Sequence, residues 1–402
     1  MQDSPLLGQI LLGYAPVVGA DGQAGSLQLS LMPANSGARL DAAEVLRLLV
    51  RAFPEGKKPK AGAPLDVFVN IVSESLLDDL IGLHPPPHFG LELPAFMTSA
   101  VDRAGRFREL HERQVSLVAK GWAVSSVPES LLESFRALIV DAADADLGIN
   151  RPPSSGPRRL DTYIEGVRTT AEMSRAFSSG ARGVVGLPDE QAVPGRKELA
   201  FELRVIVELM HLAERKAPFE RMLALMQSDT AMGLTFLRLV NAPAFGWRVE
   251  APTFAHAFLL MGPTRLMCWL ALLLVWSVPD EHARPWVRMA VRRGLAMSEL
   301  ARAAGQEELQ DEMFICGLFS LLDKMTGMAF NDLMALMPMP ARVQSSITGS
   351  AGPYVLHLSL LAAVEQASFA EITEVADRLM IAQVEVNRAI MSALAAVRSL
   401  EA

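Results

Sequence analysis

A chain of 402 residues, half of them hydrophobic, is long enough for two or three domains with sizeable cores, which excludes disorder over most of its length. Its 37 basic and 45 acidic residues give a net charge of −8; 18 basic and 21 acidic residues lie up to Pro188 and 19 and 24 beyond it, so neither half has the basic excess of a nucleic-acid-binding domain. The two cysteines, Cys268 and Cys316, sit in apolar helical runs and are expected to be buried and reduced, as in a cytoplasmic protein.

The N-terminal stretch lacks the basic region and small-residue cleavage site of a secretory leader. Strand patterns follow at residues 10–18, 27–32, 67–71, 89–93, 122–127, 137–140, 160–164 and 183–185. Helical patterns at 41–52, 73–81, 94–120, 130–137 and 169–178 alternate with them, which is an α/β order. A stretch rich in proline, serine and arginine at 148–159 reads as a loop that replaces a longer, helix-bearing connection. Residues 189–198, polar and carrying Pro194-Gly195, read as a linker.

Beyond the linker the pattern is helical only: 199–216, 219–226, 230–240, 254–261, 264–278, 286–304, 309–325, 329–336, 340–348, 355–366, 369–379 and 381–397. The most apolar of these, starting at Leu266, is too short for a membrane span and reads as a core helix. No heptad or fixed repeat is present, so residues 199–402 are expected to form an irregular all-α domain after an α/β domain over 1–188. Most of the 20 methionines fall in the helical half, where they fill irregular gaps between crossing helices.

The ordered runs of the first half resemble a shortened EAL domain, a TIM-barrel phosphodiesterase family that cleaves cyclic di-GMP. Leu11-Leu-Gly-Tyr14 resembles the opening strand, Val67-Phe-Val-Asn70 the second, Phe89-Gly-Leu-Glu92 the third, Gly121-Trp-Ala-Val124 the fourth and Leu138-Ile-Val-Asp141 the fifth; Ile164-Glu-Gly-Val167 and Ala181-Arg-Gly183 fit the last ones. EAL chemistry needs a carboxylate cage around two divalent cations at the strand ends. By the resemblance this chain keeps Asn70, Glu92, Asp141 and Glu165. It has Gln28 near the signature glutamate, Ser125 and Ser126 for the paired aspartates, Ile139 for the lysine, and Arg168 and Arg182 for a glutamate and a glutamine. With so many carboxylates gone, two-metal hydrolysis is not expected. The remaining polar residues either bond nearby backbone, or line a mouth that binds cyclic di-GMP without cutting it, with Arg168 and Arg182 meeting phosphates.

The second half resembles the HDOD domain, a relative of HD phosphohydrolases without their metal ligands. The likeness rests on Met226 to Gly262: a helix capped by Ser228 or Asp229, Leu239-Val-Asn-Ala-Pro243, the aromatic turn Phe245-Gly246-Trp247 and a second helix closed by Gly262. It continues in Gly317-Leu-Phe-Ser-Leu-Leu-Asp323, where Ser320 and Leu321 stand at the His-Asp position. His211, His256, His282 and His357 lack metal-ligand spacing, and no nucleophile elbow, P-loop or dinucleotide fingerprint is present. Asn241 is expected either to hold the turn through its side chain or, with Phe245, Gly246 and Trp247, to form a docking surface.

The combination implies a bacterial signal transduction protein that is not an enzyme and needs neither cofactor nor metal. Its expected partners are other signalling proteins of cyclic-di-GMP-linked or two-component pathways, with no nucleic acid and no membrane insertion. The alternatives are a cyclic-di-GMP sensor and a residual phosphodiesterase.

Overall fold

The computed structural model describes residues 4–22, 25–35, 40–54, 65–94, 104–121, 133–144, 160–188, 195, 198–242, 251–349 and 351–401. The first half is built from β1 (Ile10–Gly19), β2 (Ser26–Pro33), α1 (Ala42–Ala52), β3 (Val67–Ile71), α2 (Glu74–Gly82), β4 (Phe89–Pro94), α3 (Ala104–Glu112), β5 (Ser116–Lys120), β6 (Ala137–Asp141), β7 (Asp161–Glu165), α4 (Thr170–Ser178) and β8 (Gly183–Val185). The eight strands close into a barrel in chain order. β1 runs antiparallel to both its neighbours, β2 and β8, whereas every other adjacent pair is parallel. The short β1–β2 connection permits only antiparallel pairing, and the parallel pairs need the longer crossovers.

Local chemistry fixes the crossover helices. The Asp41 carboxylate accepts from the amides of Ala43 and Glu44 at the start of α1, and the Ser73 hydroxyl accepts from Leu76 at α2. Thr169 and Glu172 close a reciprocal capping box at α4. Inside the barrel, Phe68, Val118, Ile139, Tyr163 and Val185 pack as one buried layer, with the Phe68 and Tyr163 rings edge-on at 4.8 Å.

Two expectations of this half are corrected. The helix expected over 94–120 ends at Glu112, and residues 116–120 form β5 instead; Gln114, at φ 64, turns the chain without a glycine or proline to mark the place. The helix expected over 130–137 is replaced at its end by a turn at Glu133–Ser134 and by the first residue of β6. The strand expected over 122–127 and the loop over 148–159 lie outside the described residues.

The second half comprises α5 (Phe201–Glu214), α6 (Phe219–Gln227), α7 (Thr230–Val240), α8 (Phe254–Trp276), α9 (Arg284–Ala303), α10 (Gln310–Phe319), α11 (Leu322–Thr326), α12 (Phe330–Leu336), α13 (Ala341–Thr348), α14 (Val355–Glu365), α15 (Phe369–Leu379) and α16 (Gln383–Glu401). The break expected at Gly262 is absent, because α8 runs through Gly262-Pro263 as one helix of 23 residues. Pro263 removes one intrahelical bond, and the residue four places back, Leu259, is 80% exposed, so water can serve its carbonyl. The single helix expected over 309–325 is broken at Ser320–Leu321 into α10 and α11. Cys268 and Cys316 are free and buried, and burial pushes the Cys316 thiol up to about 12. Among the described residues no single helix is long and apolar enough to cross a membrane.

By internal contacts the chain forms two compact units. The first is Met1–Glu190 with Ala362–Glu374, and the second is Gln191–Leu361 with Val375–Ala402. The grouping of Ala362–Glu374 with the barrel departs from the sequence division, which placed it in the helical half. Gly13 of β1 is the reason: a Cβ there would come within 2.7 Å of Ala367, so only glycine lets that turn approach the strand.

Candidate functional site

Period-two alternation puts Phe68 and Asn70, Gly90 and Glu92, Val118 and Lys120, Ile139 and Asp141, and Tyr163 and Glu165 on the inner face of their strands. The register keeps Ser30 beside Asn70 and Asp141 beside Glu165, and it is staggered at β5, where Val118 pairs with Glu92 and Lys120 with Ile139. The apolar members fill the barrel. The polar members form its mouth at the C-terminal ends of the parallel strands.

The mouth is centred on an ammonium group. Lys120 Nζ lies 2.6 Å from Glu165 Oε2 and 3.4 Å from Glu92 Oε2. Glu92 is fully buried, while Lys120 and Glu165 are 23% and 22% exposed. The other Glu92 oxygen, Oε1, accepts from Gln28 Nε2 at 2.8 Å. Burial pulls the lysine down, but the Glu92 and Glu165 charges outweigh it and hold the ammonium above its ordinary value. Burial also pushes the Glu92 carboxyl up, against the opposing pull of Lys120 and Gln28.

The other expected residues have separate tasks. Asn70 Nδ2 donates to Ser30 Oγ at 3.3 Å, and the Asp141 carboxylate accepts from the Ala143 amide at 2.8 Å. The Arg168 amide donates to Glu172 Oε2 at 2.7 Å, which holds that carboxyl below its ordinary range. With Arg175 and Asp141, Arg168 lines a cleft of about 490 Å³ beside the mouth. Arg182 is not at the mouth: it precedes β8 and pairs with Asp161 at the start of β7, 3.2 Å away, so it stands at the opposite pole of the barrel. Its expected meeting with phosphates at the mouth is therefore corrected. Ile139 is fully buried in the barrel core.

Sequence reasoning missed Lys120, which lay inside the helix expected over 94–120. The alternation Ser116-Leu-Val-Ala-Lys120 followed by Gly121 is the pattern that marks the strand end. Ser125 and Ser126 lie outside the described residues, and Lys120 is the residue at the end of the strand that precedes them. These residues do not fit a two-cation centre: an ammonium sits between the carboxylates that would hold the ions, and an amide stands at Gln28.

In the helical unit Ser320 Oγ accepts from Arg293 Nη1 at 3.1 Å and donates to the Gly317 carbonyl at 2.8 Å, while Leu321 is buried. A guanidinium and an apolar side chain at this place do not fit a metal. His211 Nε2 meets the Leu336 carbonyl at 2.9 Å, and burial pushes buried His357 below its ordinary value. Among the described residues no three His, Cys, Asp or Glu side chains come together as a ligand group. Asn241 bonds backbone ten residues on: its Nδ2 donates to the Ala251 carbonyl at 3.0 Å and its Oδ1 accepts from the Ala251 amide at 2.7 Å. Phe245, Gly246 and Trp247 lie outside the described residues.

Residues 203–335 match the HDOD domain. The chain is similar to the cyclic di-GMP phosphodiesterase CdgJ of Vibrio cholerae, 20% identical over 331 residues that span 80% of this chain and 76% of that protein. It is also similar to the uncharacterized protein YuxH of Bacillus subtilis, 19% identical over 83% of this chain and 82% of the other. Among solved structures, the EAL domain of Mycobacterium smegmatis DcpA is similar over 44% of this chain and 90% of its own, with 18% identity and a TM-score of 0.31. The FimX EAL domain of Pseudomonas aeruginosa, bound to c-di-GMP, is similar over 44% of this chain and 88% of its own, with 14% identity and a TM-score of 0.30. The C-terminal half of this chain thus contains an HDOD domain, and it follows a closed eight-stranded barrel that resembles EAL domains.

Proposed function

We propose that this protein is a non-catalytic, cytoplasmic component of cyclic-di-GMP-linked signalling that acts through contacts with other signalling proteins. The pairing of an EAL-like barrel with an HDOD domain, and the name of the Vibrio cholerae relative, support the pathway. One observation carries the absence of catalysis: Lys120 lies between Glu92 and Glu165, where a hydrolytic centre of this kind needs metal-bound water. Among the described residues, Glu92 and Glu165 are engaged by the Lys120 ammonium and Asp141 by the Ala143 amide, which argues against a coordination site for two cations there. The purified protein is expected to release no linear dinucleotide or GMP from cyclic di-GMP with magnesium or manganese. Turnover that is abolished by Glu92→Gln would refute the reading.

The cleft that holds Arg168 and Arg175 favours a second reading, in which the rim binds cyclic di-GMP uncut. Calorimetric titration with cyclic di-GMP separates the two. Saturable binding that Arg168→Ala weakens supports the sensor, and no heat supports the pure scaffold.

A further inference from the structure

We propose that the cleft bounded by α5, α7 and the α8–α9 corner of the helical unit binds a small phosphate-bearing ligand with a flat ring, of the nucleoside monophosphate class. The cleft has a volume of about 530 Å³, in the range of roughly 300–1,000 Å³ usual for small-ligand sites. Its floor is apolar, made by buried Met232, Leu239 and Val278 among others. The polar groups stand at its rim, so a ligand would bury its body below and present charge above.

Two arginines and two carboxylates stand on that rim, and one of the carboxylates, Asp229, is engaged by the Met232 amide at the start of α7. Arg238 and Arg284 both line the cleft, and neither has a hydrogen-bond or ion-pair partner among the described residues. Elsewhere in the unit Arg204 pairs with Glu198, and Arg388 with Glu385. Arg284 is, moreover, the first residue of the 20-residue α9, whose first turn holds no acidic residue. The positive pole of a helix disfavours a cation there, and an anion bound by Arg284 would offset that cost. Each planar guanidinium group can contact a phosphate in bidentate fashion.

The rest of the lining selects the other end of the ligand. Trp276, half-buried in the wall at the end of α8, offers an aromatic face on which a flat ring can stack. The Glu202 carboxylate in the first turn of α5, also without a partner among the described residues, accepts the N–H groups that a purine ring carries at its edge. Asn241 shapes the wall but offers nothing to a ligand, because both ends of its amide are taken by Ala251.

The test is calorimetric titration of the full chain with GMP, AMP and inorganic phosphate. At least one nucleotide is expected to bind at one per chain, and inorganic phosphate at least about tenfold more weakly. Arg238→Ala and Arg284→Ala should each weaken the nucleotide by about tenfold or more, and Arg238→Glu should abolish binding, all with wild-type melting curves. Arg47→Ala, on α1 of the barrel unit and paired with Glu44, should leave the affinity unchanged. No saturable heat with either nucleotide at millimolar concentration would overturn the proposal, as would binding that survives in the Arg238→Ala, Arg284→Ala double variant. Phosphate binding as tightly as the nucleotides would remove the ring from the site and overturn the ligand class.

Discussion

Lys120 is held by two carboxylates on two other strands, and what it does follows from what its removal would leave. Lys120→Met keeps the length and apolar stem of the side chain but leaves Glu92 and Glu165 without their counter-charge in a largely dry layer. Breaking a buried ion pair in this way costs about 3 kcal/mol or more, so a clear fall in melting temperature is expected. The pH dependence has a definite sign. The folded-state ammonium titrates above its ordinary value of 10.5, so its contribution is complete between neutrality and that value and is lost as pH rises further. The stability difference between the wild type and Lys120→Met should therefore be greatest between neutrality and pH 10.5 and shrink above it; a difference that grows with alkalinity beyond 10.5 would contradict the pairing. Asn241 acts by bridging backbone. Two bonds to Ala251 span the turn, so Asn241→Ala should cost on the order of 1–3 kcal/mol in the full chain, read by urea denaturation. An unchanged midpoint with loss of a partner protein would move Asn241 to a docking surface.

At the scale of the elements, close approach of backbones decides more than side-chain volume does. α9 and α10 cross where a Cβ on Gly317 would meet the backbone of Arg293 and Gly294 at about 2.5 Å. Gly317→Ala must push the helices apart, with a loss of about 1–3 kcal/mol expected from thermal unfolding. That crossing also sets Arg293 against Ser320. Strands with clean alternation, such as Val67–Ile71 and Ala137–Asp141, were legible in the sequence because a half-buried strand repeats every two residues. β5 was not, because the apolar spacing of α3 runs into it and the reversal at Gln114 uses a left-handed residue other than glycine. The same error hid Lys120, which is registered opposite Ile139 in the sheet. Arg182 was misplaced for a related reason, since a one-dimensional match cannot tell the start of a strand from its end. Gly262-Pro263 was overread, because a helix keeps such a pair when the freed carbonyl is exposed.

Considered as whole units, the barrel and the helical bundle share one device. Each carries a basic side chain at the place where its hydrolytic relatives are expected to hold metal: Lys120 between Glu92 and Glu165 in the first, and Arg293 against Ser320 in the second. A fixed cation satisfies the polar groups that remain without an exchangeable ion, as the proposed role in recognition requires. The barrel version makes the sharper claim, because its surviving carboxylates would otherwise attract a divalent ion. Manganese titration of the wild type and of Lys120→Asp by calorimetry tests this most directly. The wild type should give no saturable heat, whereas Lys120→Asp, which replaces the ammonium by a third carboxylate beside Glu92 and Glu165, should bind about one ion per chain and regain melting temperature when the ion is added. Saturable manganese binding by the wild type that Glu92→Gln abolishes would contradict the account.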